Sequence, residues 1–132
     1  MLSLNQHTLR DIEDDVRSVA KAVGCPDRGE RLVAGLEEKA GAVRRLTGGV
    51  RRLRVFCVEW LEPVMSAGHW FSECVECAGG VDGLAVSGGR STRIGWDSVL
   101  DYDPEVVVLM PCGFTTERTV RESQQFLKLP NV

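Results

Sequence analysis

Two short apolar runs in the second half of the chain constrain its fold more than any other feature. Residues 55–58 and 106–110 are rich in valine, and neither run alternates between apolar and polar positions. Continuous runs of this kind are typical of strands that are covered on both faces. A weaker run at residues 84–86 predicts a third strand. Helical patterns separate the runs, so this order predicts a parallel sheet with right-handed crossover connections.

The first half of the chain has helical periodicity throughout. Thr8 and Asp11 have the spacing of a capping pair, and a first helix follows as far as Gly24. Asp27 is the predicted N-cap of a second helix, which ends at Gly48. Further helices are expected at about residues 70–78, 96–100 and 116–127.

These patterns predict an α/β fold in two parts. Residues 1–50 form a helical connector, which is either one long kinked helix or a pair of helices. Residues 51–132 form a small three-layer lobe around the parallel sheet. This sheet is small for an α/β domain, so the lobe is expected to be incomplete.

The segment after the first predicted strand carries an unusual set of side chains. In an open α/β sheet, ligands bind just beyond the carboxyl ends of the strands. Aromatic and ionisable residues at such a place favour a recognition loop, and here they are Trp60, Glu62, Met65, His69 and Trp70. The alternative is that the two tryptophans only fill the core and that the charged residues are solvated.

Composition excludes several classes of protein. The net charge is −3, and no basic stripe or arm is present apart from arginines near a helix end, so binding to nucleic acid is disfavoured. No apolar run reaches the roughly 18 residues that a transmembrane helix needs. The amino-terminal stretch lacks the features of a signal peptide, which predicts a cytoplasmic chain as written. The five cysteines are an odd number, as expected for reduced or inert thiols.

Chemical motifs are weak. Cys74 and Cys77 have C-x-x-C spacing and His69 lies nearby, which leaves open a thiol or metal site, although a pair of this kind within a helix more often serves packing. Glu59 and Glu62 could form an acid–base couple. Alternatively, Glu59 accepts backbone N–H bonds or pairs with Arg93. His7 is expected to be solvated. We predict no enzyme activity, no cofactor and no bound metal.

Several motifs together resemble a known family. They are Glu59-Trp-Leu-Glu-Pro-Val-Met-Ser-Ala-Gly-His-Trp70, Ile94-Gly-Trp-Asp-Ser-Val-Leu100 and Asp103-Pro-Glu-Val-Val-Val-Leu-Met-Pro-Cys-Gly-Phe114, with Ala78-Gly-Gly80 and Glu117-Arg-Thr119. The chain is similar to the cobalamin-binding branch of the ABC-importer substrate-binding proteins, which capture vitamin B12 or ferric siderophores. This resemblance implies two α/β lobes joined by a long helix, with the ligand between them. It covers roughly residues 3–127, and a complete member is about twice as long.

The resemblance also implies roles for individual residues. Non-enzymatic capture of a corrinoid or siderophore would use three loops on one wall of the cleft. The ligand-facing residues would be Trp60, Glu62, Met65, His69 and Trp70 in the first loop, Ser91 and Arg93 in the second, and Gly113 and Phe114 in the third. Asp97 matches a carboxylate that docks on arginines of the ABC permease, although the family has glutamate there. Such proteins are typically extracytoplasmic.

Two other functions remain open on the sequence alone. Without a second lobe, the apolar face of the helices between Thr8 and Leu46 would be unburied, which favours a homodimerising interaction module. A thiol- or metal-dependent protein would instead use His69, Cys74 and Cys77.

Overall fold

The computed structural model describes residues 1–126, and its element order confirms the predicted α/β class. The helices and strands are α1 (Leu9–Ala22), α2 (Pro26–Thr47), β1 (Leu53–Leu61), β2 (Val64–Ser66), α3 (Phe71–Cys77), β3 (Gly80–Val81), α4 (Trp96–Tyr102), β4 (Val106–Leu109) and α5 (Thr116–Phe126). The predicted last residue of the final helix, Leu127, lies outside the described residues. Within residues 1–126, no helix is both long and apolar enough to cross a membrane.

The amino-terminal helices begin and end largely as the sequence predicts. Thr8 and Asp11 form a reciprocal capping box at the start of α1. Gly24 follows the helix with a φ of +74°. The predicted N-cap at Asp27 is wrong, because Cys25 holds that position and Pro26 starts α2. Proline fits the first helical position, where an N–H has no partner, and this places Asp27 within the first turn.

α1 and α2 are a pair of packed helices rather than one kinked helix. Gly29 is buried in α2. A Cβ at this position would lie only 2.5 Å from the Cβ of Ala20 in α1. Arg17 of α1 also donates to Glu30 of α2 at 3.2 Å. Because glycine has no side chain, the two backbones can approach closely at this crossing.

β1 is the central strand of a four-stranded mixed sheet. It runs parallel to β3 and β4 and antiparallel to β2. Val58 pairs with both Ser66 of β2 and Leu109 of β4, so these two strands lie on opposite sides of β1. The prediction of a purely parallel sheet is therefore wrong at this point. β1 continues into the predicted loop and returns through a turn at Glu62-Pro63, whose peptide bond is cis.

Both faces of β1 are buried, which confirms the three layers. On one face, Phe56 and Val58 pack in a cluster with Val99 of α4. On the other face, Val55 and Cys57 pack in a cluster that includes α3 side chains. Burial raises the pKa of the Cys57 thiol to about 11, so this cysteine behaves as an apolar core residue.

The third predicted strand is misplaced. Residues 84 and 85 form bends, Val86 is irregular, and the strand that pairs with β1 is Gly80–Val81. The buried carboxylate of Asp82 accepts hydrogen bonds from the backbone N–H groups of Leu84 and Ala85 at 3.1 and 3.2 Å. These bonds hold the backbone in an Asx-type turn, in competition with a strand.

β4 is less buried than its composition predicts. Val106, Val107 and Val108 are 38%, 45% and 40% exposed. Among the described strands, β4 pairs only with β1 and therefore lies at an edge of the sheet. Its side chains also line an open apolar groove of about 390 Å³ beside α3. The expectation of a second strand buried on both faces is wrong because nothing in residues 1–126 covers this groove.

We predict that Gly29→Val destabilises the protein by about 1–3 kcal/mol, because the new side chain overlaps Ala20 and forces α1 and α2 apart. The free energy of unfolding in urea measures this loss. Gly41→Ala is the matched control, since a Cβ there meets only the Arg45 side chain at 3.5 Å. Replacing a helical glycine by alanine is expected to be neutral or to stabilise by about 0.5–1 kcal/mol. Equal destabilisation by both variants would contradict the close crossing.

We also predict that Glu105 makes stability depend on acid pH. Its carboxylate accepts hydrogen bonds from the Arg51 side chain and the Arg54 backbone N–H, which lower its pKa from 4.5 to about 2. A lowered folded-state pKa stabilises the protein above about pH 4.5, and this contribution is lost as the pH falls towards 2. Urea unfolding of Glu105→Gln between pH 2 and 6 should therefore show a weaker pH dependence than the unchanged protein. An identical dependence would refute the assignment.

Candidate functional site

Glu59 joins two of the three predicted cleft segments. This side chain lies near the end of β1, and its Oε2 atom accepts hydrogen bonds from the Gly68 N–H at 3.3 Å and from the Ser91 hydroxyl group. The interpretation of Glu59 as an acceptor of a backbone N–H bond is confirmed. The structure shows neither the alternative ion pair with Arg93 nor a contact with Glu62 in the described chain.

The second segment runs directly alongside the first. Met65 of β2 forms an antiparallel bridge with Arg93. The Ile94 N–H donates to the Val64 carbonyl oxygen at 3.0 Å. Gly68 approaches the backbone of Ser91 so closely that a Cβ there would overlap it. The absence of a side chain at Gly68 is therefore required for this contact.

The first and third segments meet through an aromatic pair. The rings of Trp60 and Phe114 are 5.6 Å apart in an edge-to-face arrangement. Trp60 is 39% exposed, and its indole N–H donates to the Glu62 carbonyl oxygen at 3.0 Å. This exposure rules out the alternative in which Trp60 only fills the core. The exposed Trp60 and the half-buried Phe114 form an apolar patch at the end of the sheet.

Arg118 also belongs to this patch, although sequence analysis missed it. Its guanidinium carbon lies 3.4 Å from the centre of the Phe114 ring, which is a cation–π contact. The same guanidinium donates to Glu122 at 2.8 Å. Together with the helix predicted at about residues 116–127, the spacing of four residues from Phe114 is the one signal in the sequence that could have suggested this contact.

His69 and Trp70 lie in a separate aromatic cluster beside the amino terminus. The His69 ring is 5.3 Å from the His7 ring and 5.9 Å from the Trp70 ring, and Trp70 stacks on Phe71. His7 is half-buried and donates from Nδ1 to the Gly88 carbonyl oxygen at 3.1 Å. The prediction of a solvated His7 is therefore wrong. Nothing in the sequence pairs His7 with a residue that lies so far along the chain.

The backbone at His69 is also unusual. Its φ is +59°, which is uncommon for a residue other than glycine. Its N–H donates to the Gly89 carbonyl oxygen at 2.5 Å, and its carbonyl oxygen accepts from the Gly88 N–H at 3.2 Å. The Nδ1 atom of its ring is buried and has no hydrogen-bond partner in the described chain. These backbone bonds hold the first segment against the second.

The remaining predicted site residues are exposed around these contacts. Glu62 lies in the turn between β1 and β2, and Arg93 lies opposite Met65. Gly113 has a φ of +76° in the turn after β4. Asp97 lies in the first turn of α4. The contacts of these residues are structural observations, whereas their roles in binding stay predictions.

The hypothesis of a thiol or metal site finds no support in the described residues. Cys77 donates from its thiol to the Ala40 carbonyl oxygen at 3.4 Å, so it serves to pack α3 on α2. Burial raises the pKa of the Cys74 thiol, which disfavours the reactive thiolate. No group of three or more His, Cys, Asp or Glu side chains in residues 1–126 is placed to hold a metal ion.

The geometry suits non-covalent recognition. Next to Phe114, an open cleft of about 550 Å³ lies between the end of β4 and α5. Its lining is mixed apolar and hydroxyl-bearing, and the lining residues are Leu109, Met110, Pro111, Phe114, Thr116, Thr119, Val120 and Ser123. A concave surface of this size with a few polar groups is typical of small-molecule sites.

Comparison with known proteins identifies the family. A family model described as "Periplasmic binding protein" matches residues 1–132. Members of this family bind ligands and are not enzymes, in agreement with the predicted lack of activity. The match also confirms the resemblance to substrate-binding proteins. A search of curated proteins found no match.

Solved structures share the fold at low sequence identity. The periplasmic vitamin B12 binding protein BtuF of Vibrio cholerae is 20% identical with a TM-score of 0.67, over 95% of this chain and 50% of that chain. S. aureus IsdE complexed with heme is 12% identical with a TM-score of 0.80, over 96% and 51%. An ABC-type Fe3+-hydroxamate transport system from Saccharomonospora viridis is 20% identical with a TM-score of 0.72, over 88% and 41%.

The chain thus spans about half the length of these three proteins. This agrees with the expectation of a partial α/β lobe, and it shows that the matched region is the fold of one part of each longer chain. The identities are too low to transfer any binding property.

We predict that Glu59→Ala destabilises the protein by about 1–3 kcal/mol, because the Gly68 N–H and the Ser91 hydroxyl group lose their common acceptor. Urea unfolding gives the energy, and amide hydrogen exchange at Gly68 reports the local loosening. Glu62→Ala is the control, since its exposed carboxylate makes no such contact in the described chain. Equal effects of the two substitutions would show that Glu59 does not join the segments.

Proposed function

The chain belongs to the periplasmic binding protein family, and we propose that it forms one wall of a cleft that captures a corrinoid or a ferric siderophore. The observation that carries this proposal is the contact between the exposed Trp60, near the carboxyl end of β1, and the half-buried Phe114 in the loop after β4. In open α/β sheets, this is the edge where ligands bind. Exposed aromatic side chains supply a large contact area with little loss of side-chain entropy.

The chemistry of this patch suits a large ligand with an apolar face. Trp60, Phe114 and the half-buried Met65 supply apolar surface. The exposed side chains of Glu62 and Arg93 can meet polar groups at the rim of the ligand. A corrin has an apolar macrocycle with an amide rim, which fits this division. Two of the similar structures are a vitamin B12 binding protein and a protein complexed with heme, and both of these ligands are macrocycles.

Ser91, His69, Trp70 and Gly113 complete the proposed ligand-facing set. The Ser91 hydroxyl group is already bound by Glu59, so it would act by shaping the wall. His69 and Trp70 would contact a ligand only at the edge next to the amino terminus, where their cluster lies. Gly113 leaves open space beside Phe114, since a Cβ there would meet nothing within 4 Å.

The permease is the proposed protein partner. Asp97 is exposed on α4, where a carboxylate is free to meet an arginine on another protein. Its shorter side chain would require a closer approach than glutamate does. This role would place the protein outside the cytoplasmic membrane, alongside the importer.

A second candidate function is that of a homodimerising interaction module. It is favoured by large apolar side chains on α1, at its C-cap and on α2 that are exposed in the described chain: Val19, Val23, Leu32, Leu36, Val43 and Leu46. Contiguous apolar surface of this kind marks sites of protein contact.

We predict that the protein binds cyanocobalamin with a dissociation constant of about 10 µM to 1 mM. Affinity is limited because a single wall covers one side of the ligand and gains nothing from closure. Titration followed by tryptophan fluorescence and calorimetry measures it, with ferric hydroxamate and heme as parallel ligands. Absence of binding by all of these ligands at millimolar concentration would refute the proposal.

Trp60→Ala tests the site itself. Loss of the exposed indole should weaken binding about tenfold, which corresponds to roughly 1.4 kcal/mol. Leu100→Ala is the matched control, because Leu100 is an exposed apolar residue of α4 outside the three segments. If both variants bind equally well, the ligand does not contact the Trp60–Phe114 patch.

A further inference from the structure

The exposed face of α2 carries a heptad stripe. Leu32, Leu36, Val43 and Leu46 follow the alternating spacing of four and three residues of a coiled-coil seam, with Lys39 at the one interrupting position. All four apolar side chains are exposed, and Leu46 is 81% exposed. At 1.5 Å per residue, the stripe is about 21 Å long.

The lobe packs on a different side of α2. Val33 is fully buried, the Ala40 carbonyl oxygen accepts from Cys77, and the Thr47 hydroxyl group donates to the Cys77 carbonyl oxygen at 3.0 Å. Each of these three residues lies one position after a stripe position, so they share one flank of the seam. The rest of the chain therefore covers this flank and leaves the stripe open.

The other flank of the stripe is shaped for a second helix. Gly35 and Ala42 lie there and place little side chain between α2 and a neighbour. A Cβ at Gly35 would meet nothing within 4 Å, so the space beside it is empty in the described chain. Glu38 and Arg45 lie just outside these two small residues on the same flank, and neither forms a salt bridge within residues 1–126.

Charge is distributed unevenly along α2 and the segment that follows it. Residues 27–38 carry four carboxylates and two arginines, whereas residues 39–52 carry five cations and no carboxylate. Two such helices side by side in parallel would place like charges together. An antiparallel arrangement would place the acidic half of each helix against the basic half of the other.

We propose that the partner of this face is a second copy of the chain, with the two α2 helices packed antiparallel about a twofold axis near residue 41; this rests on the second candidate function and specifies its interface. With Leu36 opposite Leu46 of the second copy, Lys39 lies opposite Val43. In the same register, Glu38 lies beside Arg45 of the second copy, and the symmetry forms this ion pair twice. The apolar spacing and the charges thus select one register, and this agreement favours a second copy over an unrelated partner.

Lys39 limits both the register and the affinity of the proposed dimer. Its long aliphatic stem can lie along the stripe while its ammonium group reaches solvent at the edge. A lysine at a core position lowers affinity and favours a particular register. Because one helix pair of this length buries less than a standard interface, dimerisation is expected with a dissociation constant of about 1–100 µM.

Sedimentation velocity without ligand, from about 1 to 500 µM protein, tests the proposal. The unchanged protein should dimerise, and the double variant L36E/L46E should stay monomeric over this range. Leu100→Glu, an equal change at an exposed helical leucine of the lobe, should dimerise like the unchanged protein. Circular dichroism of each variant checks that the fold is retained. A monomer at 500 µM, or equal loss in both variants, would overturn the proposal.

Charge reversal tests the orientation. Glu38→Arg and Arg45→Glu should each raise the dissociation constant of the dimer about tenfold, because each creates two like-charge contacts. The double variant E38R/R45E should return to within about threefold of the unchanged protein. In a parallel dimer the double reversal restores nothing, so failure of this rescue overturns the antiparallel arrangement. The assay contains no ligand, and its outcome is therefore independent of solute binding.

Discussion

β1 buries one set of side chains against α3 and the alternate set against α4, and most other elements are positioned by this sandwich. Val55 and Cys57 pack on the first face, and Phe56 and Val58 pack on the second. The strand also supplies hydrogen-bond partners to each of the other described strands. A strand with three neighbours and two buried faces has no freedom to shift its register. The segment that follows β1 consequently lies at one edge of the sheet.

The candidate site depends on the carboxylate of Glu59, whose role in the described chain is structural. Glu59 accepts hydrogen bonds from the Gly68 N–H and the Ser91 hydroxyl group and thereby holds two segments of the wall together. Trp60, the next residue, remains exposed where the register with β2 shifts between Val58 and Trp60. Adjacent positions on one strand therefore differ in role, since Glu59 joins two segments and Trp60 is the proposed ligand contact.

Much of this arrangement could be predicted from local patterns. The capping box at Thr8, the helix that ends before Gly24 and the central strand each have a signal within a few residues. The misplaced strand at residues 84–86 failed because the side chain of Asp82 competes for its backbone donors. The exposure of β4 could not be predicted, because burial of a valine run depends on neighbours that the pattern does not contain.

The candidate site also combines features that the sequence predicts with contacts that it does not. Motif positions correctly brought the three segments together, and Trp60 and Phe114 do meet. The cluster of His7 with His69 had no usable signal, because it depends on how distant segments pack, whereas the contact of Arg118 with Phe114 had only its spacing of four residues as a signal. Single-sequence patterns report periodicity and turn chemistry, whereas such contacts arise only in the folded chain.

The short length of β4 has a consequence for the solubility of the protein. Its four uncharged residues present unpaired backbone groups at the edge of the described sheet, which is a template for strand addition and aggregation. Pro104 and Pro111 stand close to either end and cannot donate to such a ladder. The Arg51–Glu105 ion pair places charge at the entrance to the strand. These residues act as gatekeepers, so the exposed edge is too short and too well flanked to recruit other chains readily.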